Sequence, residues 1–403
     1  MPFPGLNSAA GKPVLHHPVW PVIAGILLRA AHLWFIAPSP VLRMLIIDSG
    51  YYHGRAMEIA SGDILGSGVF FMSPFYAYLM GVLYVLIIPS PFVIAGLQIL
   101  MSGTALWLLF KITDELAGRA AASYAAWAGA LFPVWIYFDG MILTASMILF
   151  LNIAALWFLL KWLKTDGIKY LLSAGFFLGL SILTRPSAIL FVIGVLIWLA
   201  ARRKYKPGMY FLGIVLLVLL PVTLRNIIVS GEGALTTASG GMNFFVGNNP
   251  RATGLYYEPE FLRSAEPEFE YLDYIEQAEK VSLRKLTAVE ASGFWYKTGL
   301  LYLAEHPLHA LKLYWNKFFY FWNNLEAPNN VSYYLAAKYS PLLRIMFWGF
   351  GLIGALGLAG LISCRVYDQM VGIWIYFGSL FLAQLIFFTS SEFRFSAIAA
   401  FLP

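Results

Sequence analysis

Long apolar runs recur along the chain, separated by short polar junctions. Runs of about eighteen residues or more can each cross a hydrocarbon core of about 30 Å as a helix. Segments of about ten alternating residues, the mark of a membrane β-barrel, are absent. The pattern predicts an all-α polytopic membrane protein. The first span reads as residues 18–38, and later ones as 92–111, 119–137, 141–160, 170–184, 187–200, 208–224, 342–362 and 371–389.

One apolar stretch fits this scheme poorly. Residues 74–88 are short for a span and open on Pro74, so they read either as a crossing or as a helix lying in the interface. The basic residues decide between the two. If 74–88 crosses, the Lys111–Arg119 and Lys161–Lys169 junctions fall on opposite sides. If it lies flat, Lys111, Arg119, Lys161, Lys164, Lys169, Arg202, Arg203, Lys204, Lys206 and Arg365 all face the cytoplasm, as such residues prefer. The flat arrangement is therefore expected. It puts Asp48, Asp139, Arg185 and Arg225 together at the external face.

Two external regions result, about 38–91 and about 226–340, within a single transmembrane domain that covers residues 1–403. In the first, Gly50 to Ser61 reads as a short amphipathic helix ended by Gly62. The second holds a Gly/Asn-rich segment (239–250), an acidic stretch from Glu258 to Glu279 and an aromatic-basic helix, Phe294 to Trp322, of interfacial character. The apolar residues that end at Pro403 read as the start of another span, which suggests a fragment. Trp20 to Ala37 is long for a signal peptide and is interrupted by Arg29, so a cleavable leader is not expected.

Composition narrows the class further. Charged residues make up 12% of the chain and hydrophobic ones 60%, against about 25% charged in a soluble domain. The net charge of +6 sits at span ends rather than in a stripe on one face, which argues for membrane orientation and against nucleic-acid binding. The single cysteine, Cys364, excludes an intramolecular disulfide and a thiolate metal cluster.

Candidate chemistry gathers where charges are costly. Asp48 stands between an apolar run and Tyr51-Tyr52-His53-Gly54-Arg55, at a span edge where a carboxylate is expensive to keep. It can serve as a general base toward a hydroxyl or amine, or as the N-cap of the helix that follows, and the residues alone weigh these equally. Asp139 carries the same two readings, with the cap slightly favoured. Arg185, in Thr184-Arg185-Pro186, offers a planar fork for a phosphate, against ordinary snorkelling to the interface. Arg225, Arg394 and Lys317 share that argument more weakly. Arg29, three residues from His32 inside the first span, reads first as the partner of a buried carboxylate and otherwise as an anion contact. Tyr51, Tyr52, His53, Arg55, Tyr76 and Asn248 complete the substrate-site candidates. Asn330-Val331-Ser332 fits a glycosylation sequon. His16-His17 is an isolated pair. No metal-ligand spacing is present, Asp48 lacks a second carboxylate two residues on, and no cofactor is expected.

The order of these features resembles the membrane glycosyltransferases of the dolichyl-phosphate-mannose–protein mannosyltransferase type, glycosyltransferase family 39, including its aminoarabinose-transferase branch. The likeness rests on Asp48 with Tyr51-Tyr52, Gly62-Asp63, Pro74-Phe75-Tyr76, Gly118-Arg119 leading to Leu131-Phe132-Pro133, Thr184-Arg185-Pro186, Gly247-Asn248-Asn249-Pro250 and Arg394-Phe395. It implies the C-type fold and a polyprenyl-phosphate-linked sugar as donor, with membrane lipids around it. It further implies inverting transfer at the external face of the plasma membrane to a protein, glycolipid or polymer acceptor. Asp48 then matches the family's catalytic base and Arg185 its phosphate-gripping residue. Asp139 is the nearest match to its second-loop acid, which many relatives place near Thr144-Ala145. A lipid-linked sugar transporter or flippase, and a non-catalytic relative, are the alternatives. The clustering of polar residues at one surface speaks against transport.

Overall fold

A computed structural model describes residues 17–346, 348–363 and 368–403. His16, Cys364 and Arg365 lie outside the described residues. Among those described, the chain is helical and without strands. It opens with α1 (Val19–Ile36), followed by α2 (Pro40–Arg43), α3 (Asp48–Ala60) and α4 (Pro74–Leu86). Then come α5 (Pro91–Ala117), the bent pair α6 (Arg119–Ala130) and α7 (Pro133–Gly140), α8 (Ala145–Thr165), α9 (Ile168–Thr184), α10 (Ile189–Ala201) and α11 (Tyr205–Ser230). The second loop region contains α12 (Gly240–Gly247), α13 (Pro267–Ser282), α14 (Ala288–Glu305), α15 (Pro307–Trp322), α16 (Tyr333–Tyr339) and α17 (Pro341–Ile345). The chain ends with α18 (Phe350–Ser363), α19 (Val371–Ile386), α20 (Ser391–Arg394) and α21 (Ile398–Phe401).

Local sequence explains many of these boundaries. Proline opens α2, α4, α5, α7, α13, α15 and α17, at the position where its missing N–H costs nothing and its fixed φ suits a helix. Thr287 and Glu290 form a reciprocal capping box at the start of α14. Gly62, at φ +107° just after α3, takes a backbone conformation that a side chain would strain. Pro307 breaks the expected single helix Phe294–Trp322 into α14 and α15.

Among the described residues, five helices (α1, α5, α8, α11 and the stretch Asp368–Ile386) are long and apolar enough to cross a membrane, and the α6–α7 pair, bent by 51°, passes the same test when taken as one span. The apolar helices α4, α9 and α18 are shorter, as is the stretch Pro186–Ala201. The chain is a multi-pass membrane protein. Ion pairs tie one set of helix ends together: Glu115 with Lys161 and Lys164, Asp166 with Lys204, and Asp368 with Arg202. These residues belong to the C-terminal ends of α5, α8 and α10 and the N-terminal ends of α11 and α19. The opposite ends, α1 and α9 at their C-termini and α8 and α10 at their N-termini, carry the loops. Segment 37–90 thus leaves and re-enters on one side, and α4 does not cross. Its Val82, Val85 and Leu86 are exposed, as an interfacial helix requires.

Helix α8 is buried along most of its length and forms the axis of the main core. The terminal apolar residues fold into that core as the short α21. Phe401 lies so close to Gly357 of α18 that an added Cβ would come within 2.3 Å of it. A second cluster packs α3 and α4 against α5 and α8 through Tyr52, Ala56, Tyr76 and Met80. A third joins α12, α13 and α14 around Trp295. The active-site candidates lie where these clusters meet.

Candidate active site

Asp48 is the first residue of α3, preceded by Ile47 at φ +54°. A β-branched side chain is costly in that region of φ, and such strain persists where the surroundings fix it. Here two side chains hold the backbone. The Ile47 N–H donates to Glu266 Oε1 at 3.3 Å and the Asp48 N–H to Asn330 Oδ1, also at 3.3 Å. The helix therefore starts without a side-chain cap. The capping role open to Asp48 in the sequence is not used, because its carboxylate turns toward Asn330, whose Nδ2 donates to Asp48 Oδ2 at 2.9 Å.

The same Asn330 amide reaches Glu392 Oε2 at 3.3 Å. Glu392 Oε1 in turn accepts from Arg185 Nη2 at 2.5 Å, and Arg185 also donates to Thr144 Oγ1 at 3.1 Å. Arg185 sits at the turn between α9 and the 3-10 turn Pro186–Ala188, with its guanidinium 4.4 Å from the Phe393 ring centroid. A chain of contacts thus runs from Asp48 through Asn330 and Glu392 to Arg185. Asp48, Glu392 and Arg185 all border one cavity of about 370 Å³. Its outer wall includes Tyr52, Tyr256, Glu258 and Glu270, and its membrane-side wall Ile148, Phe191, Leu380 and Phe387. Burial lifts the Asp48 carboxyl from 3.8 to about 7, helped by the like charge of Glu392 and opposed by Asn330 and Arg185. Glu270 is likewise pushed up to about 7 by burial, and its Oε1 accepts from the Tyr256 hydroxyl at 3.0 Å.

Apart from Tyr52, the other sequence candidates lie outside the lining of this cavity. Asp139 is wholly buried, bonded to Arg29 Nε at 2.5 Å and to Ser102 Oγ at 2.7 Å. It is the buried carboxylate partner expected for Arg29 and does not border the cavity. His32 meets Ser340 Oγ at 2.8 Å. Of the three arginines expected to bind phosphate, two are committed to backbone carbonyls. Arg394 binds the carbonyls of Tyr320, Asn323 and Leu325 beyond and within the last turn of α15 and pairs with Glu326 at 3.0 Å. Arg225 binds those of Leu65 and Gly68, with its guanidinium 3.9 Å over Phe70. Lys317 donates to Asn248 Oδ1 and to the Leu385 carbonyl, both at 2.9 Å, while Asn248 Nδ2 donates to the Ile386 carbonyl. Together these two satisfy the C-terminus of α19 and fix the segment that leads to Glu392.

Of the remaining candidates, Tyr52 borders the cavity and Tyr51 packs edge-on against it. His53 bonds to Tyr84 across α3 and α4, Arg55 folds the following loop through Glu58, Asp63 and the Ile64 carbonyl, and Tyr76 donates to Gln98. The sequence reading missed Glu392 as the second acid of the site. It stands beside Arg394 at the end of a span, where the burial-cost argument used for Asp48 applies equally. Asn330 was read only as a sequon, yet its amide is taken up by the two carboxylates. Among the described residues, no group of three or more His, Cys, Asp or Glu side chains is arranged to hold a metal ion.

Comparison with known proteins follows this geometry. Residues 72–225 match the family model for dolichyl-phosphate-mannose-protein mannosyltransferase. The matched segment includes Arg185 and stops short of Asp48 and Glu392. No curated protein matches the chain. Among solved structures, the oligosaccharyltransferase of Archaeoglobus fulgidus in its apo form is similar, with 17% identity and a TM-score of 0.51 over 96% of this chain and 49% of that one. The same enzyme tethered to an acceptor peptide gives 17% identity and a TM-score of 0.50 over 95% of this chain and 48% of that one. ArnT from Cupriavidus metallidurans, in the apo state, gives 11% and 0.45 over 94% and 77%. This chain therefore spans about half the length of the oligosaccharyltransferase structures it matches. It has the C-type glycosyltransferase fold, and over residues 72–225 it resembles the mannosyltransferase family.

Proposed function

We propose that the chain is a membrane glycosyltransferase that moves a sugar from a polyprenyl-phosphate carrier to an acceptor at the external face. One observation carries this reading. A carboxylate and a guanidinium, Asp48 and Arg185, border the same cavity, which has a polar outer wall and an apolar membrane-side wall. A lipid-linked phosphate sugar has matching parts: a prenyl chain for the apolar wall, an anion for Arg185 and, joined to the other side of the phosphate, a sugar toward Asp48.

In the proposed reaction Asp48 takes the proton of the acceptor hydroxyl or amine as that atom attacks the anomeric carbon. The bond to the phosphate oxygen breaks, and its electron pair leaves with the phosphate. Arg185 faces the charge that develops there, which a preorganised cation stabilises without a general acid. Glu392 and Thr144 hold the Arg185 guanidinium in place. A carboxyl lifted to about 7 is a better proton acceptor near neutral pH than an ordinary aspartate. Single displacement by this route inverts the anomeric centre. The proposal needs no cofactor.

The family match and the fold support this class of activity. The relatives named above include an oligosaccharyltransferase holding an acceptor peptide, which favours an acceptor in water reached from the outer wall. The direct test compares surface glycans and lipid-linked sugars in cells with and without the gene. Loss of one glycan modification with accumulation of a polyprenyl-phosphate monosaccharide is expected. Unchanged glycans and unchanged carrier pools would overturn the proposal.

A further inference from the structure

Besides its apolar residues, the cavity lining on α8 and α19 carries polar side chains. Asn152 Oδ1 accepts from Ser181 Oγ at 2.8 Å. The Tyr376 hydroxyl donates to the Ser396 carbonyl at 2.7 Å, and Ser379 donates to the Tyr376 carbonyl at 2.8 Å. Each of these has a partner. Gln384, on the last turn of α19, differs. It is 3% exposed, it borders the cavity, and among the described residues neither its Oε1 nor its Nε2 has a hydrogen-bond partner.

A buried amide with both ends unmet costs free energy that leucine at the same place would not, and more so where the surroundings are apolar. The cost is offset if a bound molecule supplies both a donor and an acceptor. A phosphate offers acceptors only and would leave Oε1 unmet, and a prenyl chain offers neither. A sugar hydroxyl offers both. Resting on the glycosyltransferase reading above, we infer that Gln384 hydrogen-bonds a hydroxyl of the donor's sugar and sets which sugar the site accepts.

The division of labour is then spatial. Arg185, at the α9–α10 turn, takes the phosphate, and Gln384, on α19, reads the sugar from another wall of the same cavity. A site built to hydrogen-bond a substrate hydroxyl discriminates strongly against analogues that lack it, because its own polar group is left unpaired.

The test uses the purified full chain in lipid nanodiscs. Binding is measured for undecaprenyl phosphate and for undecaprenyl-phosphate mannose, glucose, galactose and aminoarabinose, in the native chain, Gln384→Leu and Gln384→Met. The native chain is expected to prefer one glycosylated lipid over the bare lipid phosphate. Both variants are expected to bind undecaprenyl phosphate within about twofold of the native chain and to lose about tenfold or more of the preference for the glycosylated lipid. The retained binding of the bare lipid phosphate also reports that the variants are folded. A variant that keeps the full preference overturns the inference and leaves the proposed function standing, and so does a native chain that binds all five lipids alike. A native chain that binds none of the five lipids overturns both.

Discussion

Replacing Asp139 with asparagine separates a structural carboxylate from a reacting one. The native pair is buried at both ends, with Arg29 Nε and Asp139 Oδ2 2.5 Å apart and neither side chain exposed. The guanidinium has other neighbours, the carbonyls of Gly25 and Ala130 at 3.0 and 3.2 Å and the Trp135 ring at 4.9 Å, but none carries a formal charge. Asp139→Asn keeps the shape and removes the counter-charge. Breaking one side of such a pair costs about 3–5 kcal/mol, because the other charge stays buried and uncompensated. At roughly 2 °C per kcal/mol for a larger domain, this lowers the melting temperature by somewhat less than about 10 °C. The double replacement Arg29→Met with Asp139→Leu removes both charges and is expected to recover most of the loss, since apolar substitutes for buried pairs are often neutral or better. Tryptophan fluorescence during heating in detergent measures the stability, and label transfer per folded molecule measures the activity. An Asp139→Asn variant that melts within about 1 °C of the native chain yet has lost transfer would refute this reasoning and return Asp139 to the reaction.

Three further outcomes follow from the site. The kcat/KM of transfer is expected to rise with pH through about 7, as Asp48 ionises, and Glu392→Gln should move that limb to lower pH by removing the like charge and releasing Arg185. A limb that stays in place in that variant, measured from pH 5 to 9, would contradict the electrostatic coupling. Because the folded carboxyl titrates near 7 and an unperturbed one at 3.8, its ionisation costs stability progressively as pH rises between those values, and the cost is constant above them. Asp48→Asn should therefore melt higher than the native chain at pH 8 and equally at pH 3.5, which a pH series of melting curves checks. Arg185→Ala should raise the donor KM at least tenfold, while Arg394→Met should leave donor KM unchanged and lower the melting temperature by stranding buried Glu326; the reverse pattern in kinetics and melting would exchange their roles.

How much of this was readable from the chain varies with the range of the interactions involved. The five long apolar helices, the interfacial placement of α4 and the shared face of Asp48 and Arg185 follow from apolar run length and the placement of lysine and arginine, both properties of local sequence, whereas the spans expected at 170–184, 187–200 and 342–362 are shorter helices. The break at Pro307 is also local, and a strict reading of proline would have found it. The partners of the charges are not local. Arg29 meets Asp139 across 110 residues, and Asn330 meets Asp48 across 282. The sequence ranks Arg185 ahead of Arg225 and Arg394 mainly through the family resemblance; that Arg185 faces a cavity while the other two satisfy loop and helix-end carbonyls is not a local property. A charge at a span end flags all three; only the packed structure shows which one has a site in front of it.

The central claim is that Asp48 is the base of a sugar transfer from a lipid phosphate. It is tested most directly by incubating the native chain and Asp48→Asn with radiolabelled polyprenyl-phosphate sugars and a cell-envelope acceptor fraction. Label leaving the lipid carrier is counted, and binding of bare polyprenyl phosphate is measured in parallel. Transfer by the native chain is expected, with a fall of about 10²–10⁴-fold in Asp48→Asn and binding of the lipid phosphate retained. Turnover by Asp48→Asn within a few-fold of the native chain would contradict it.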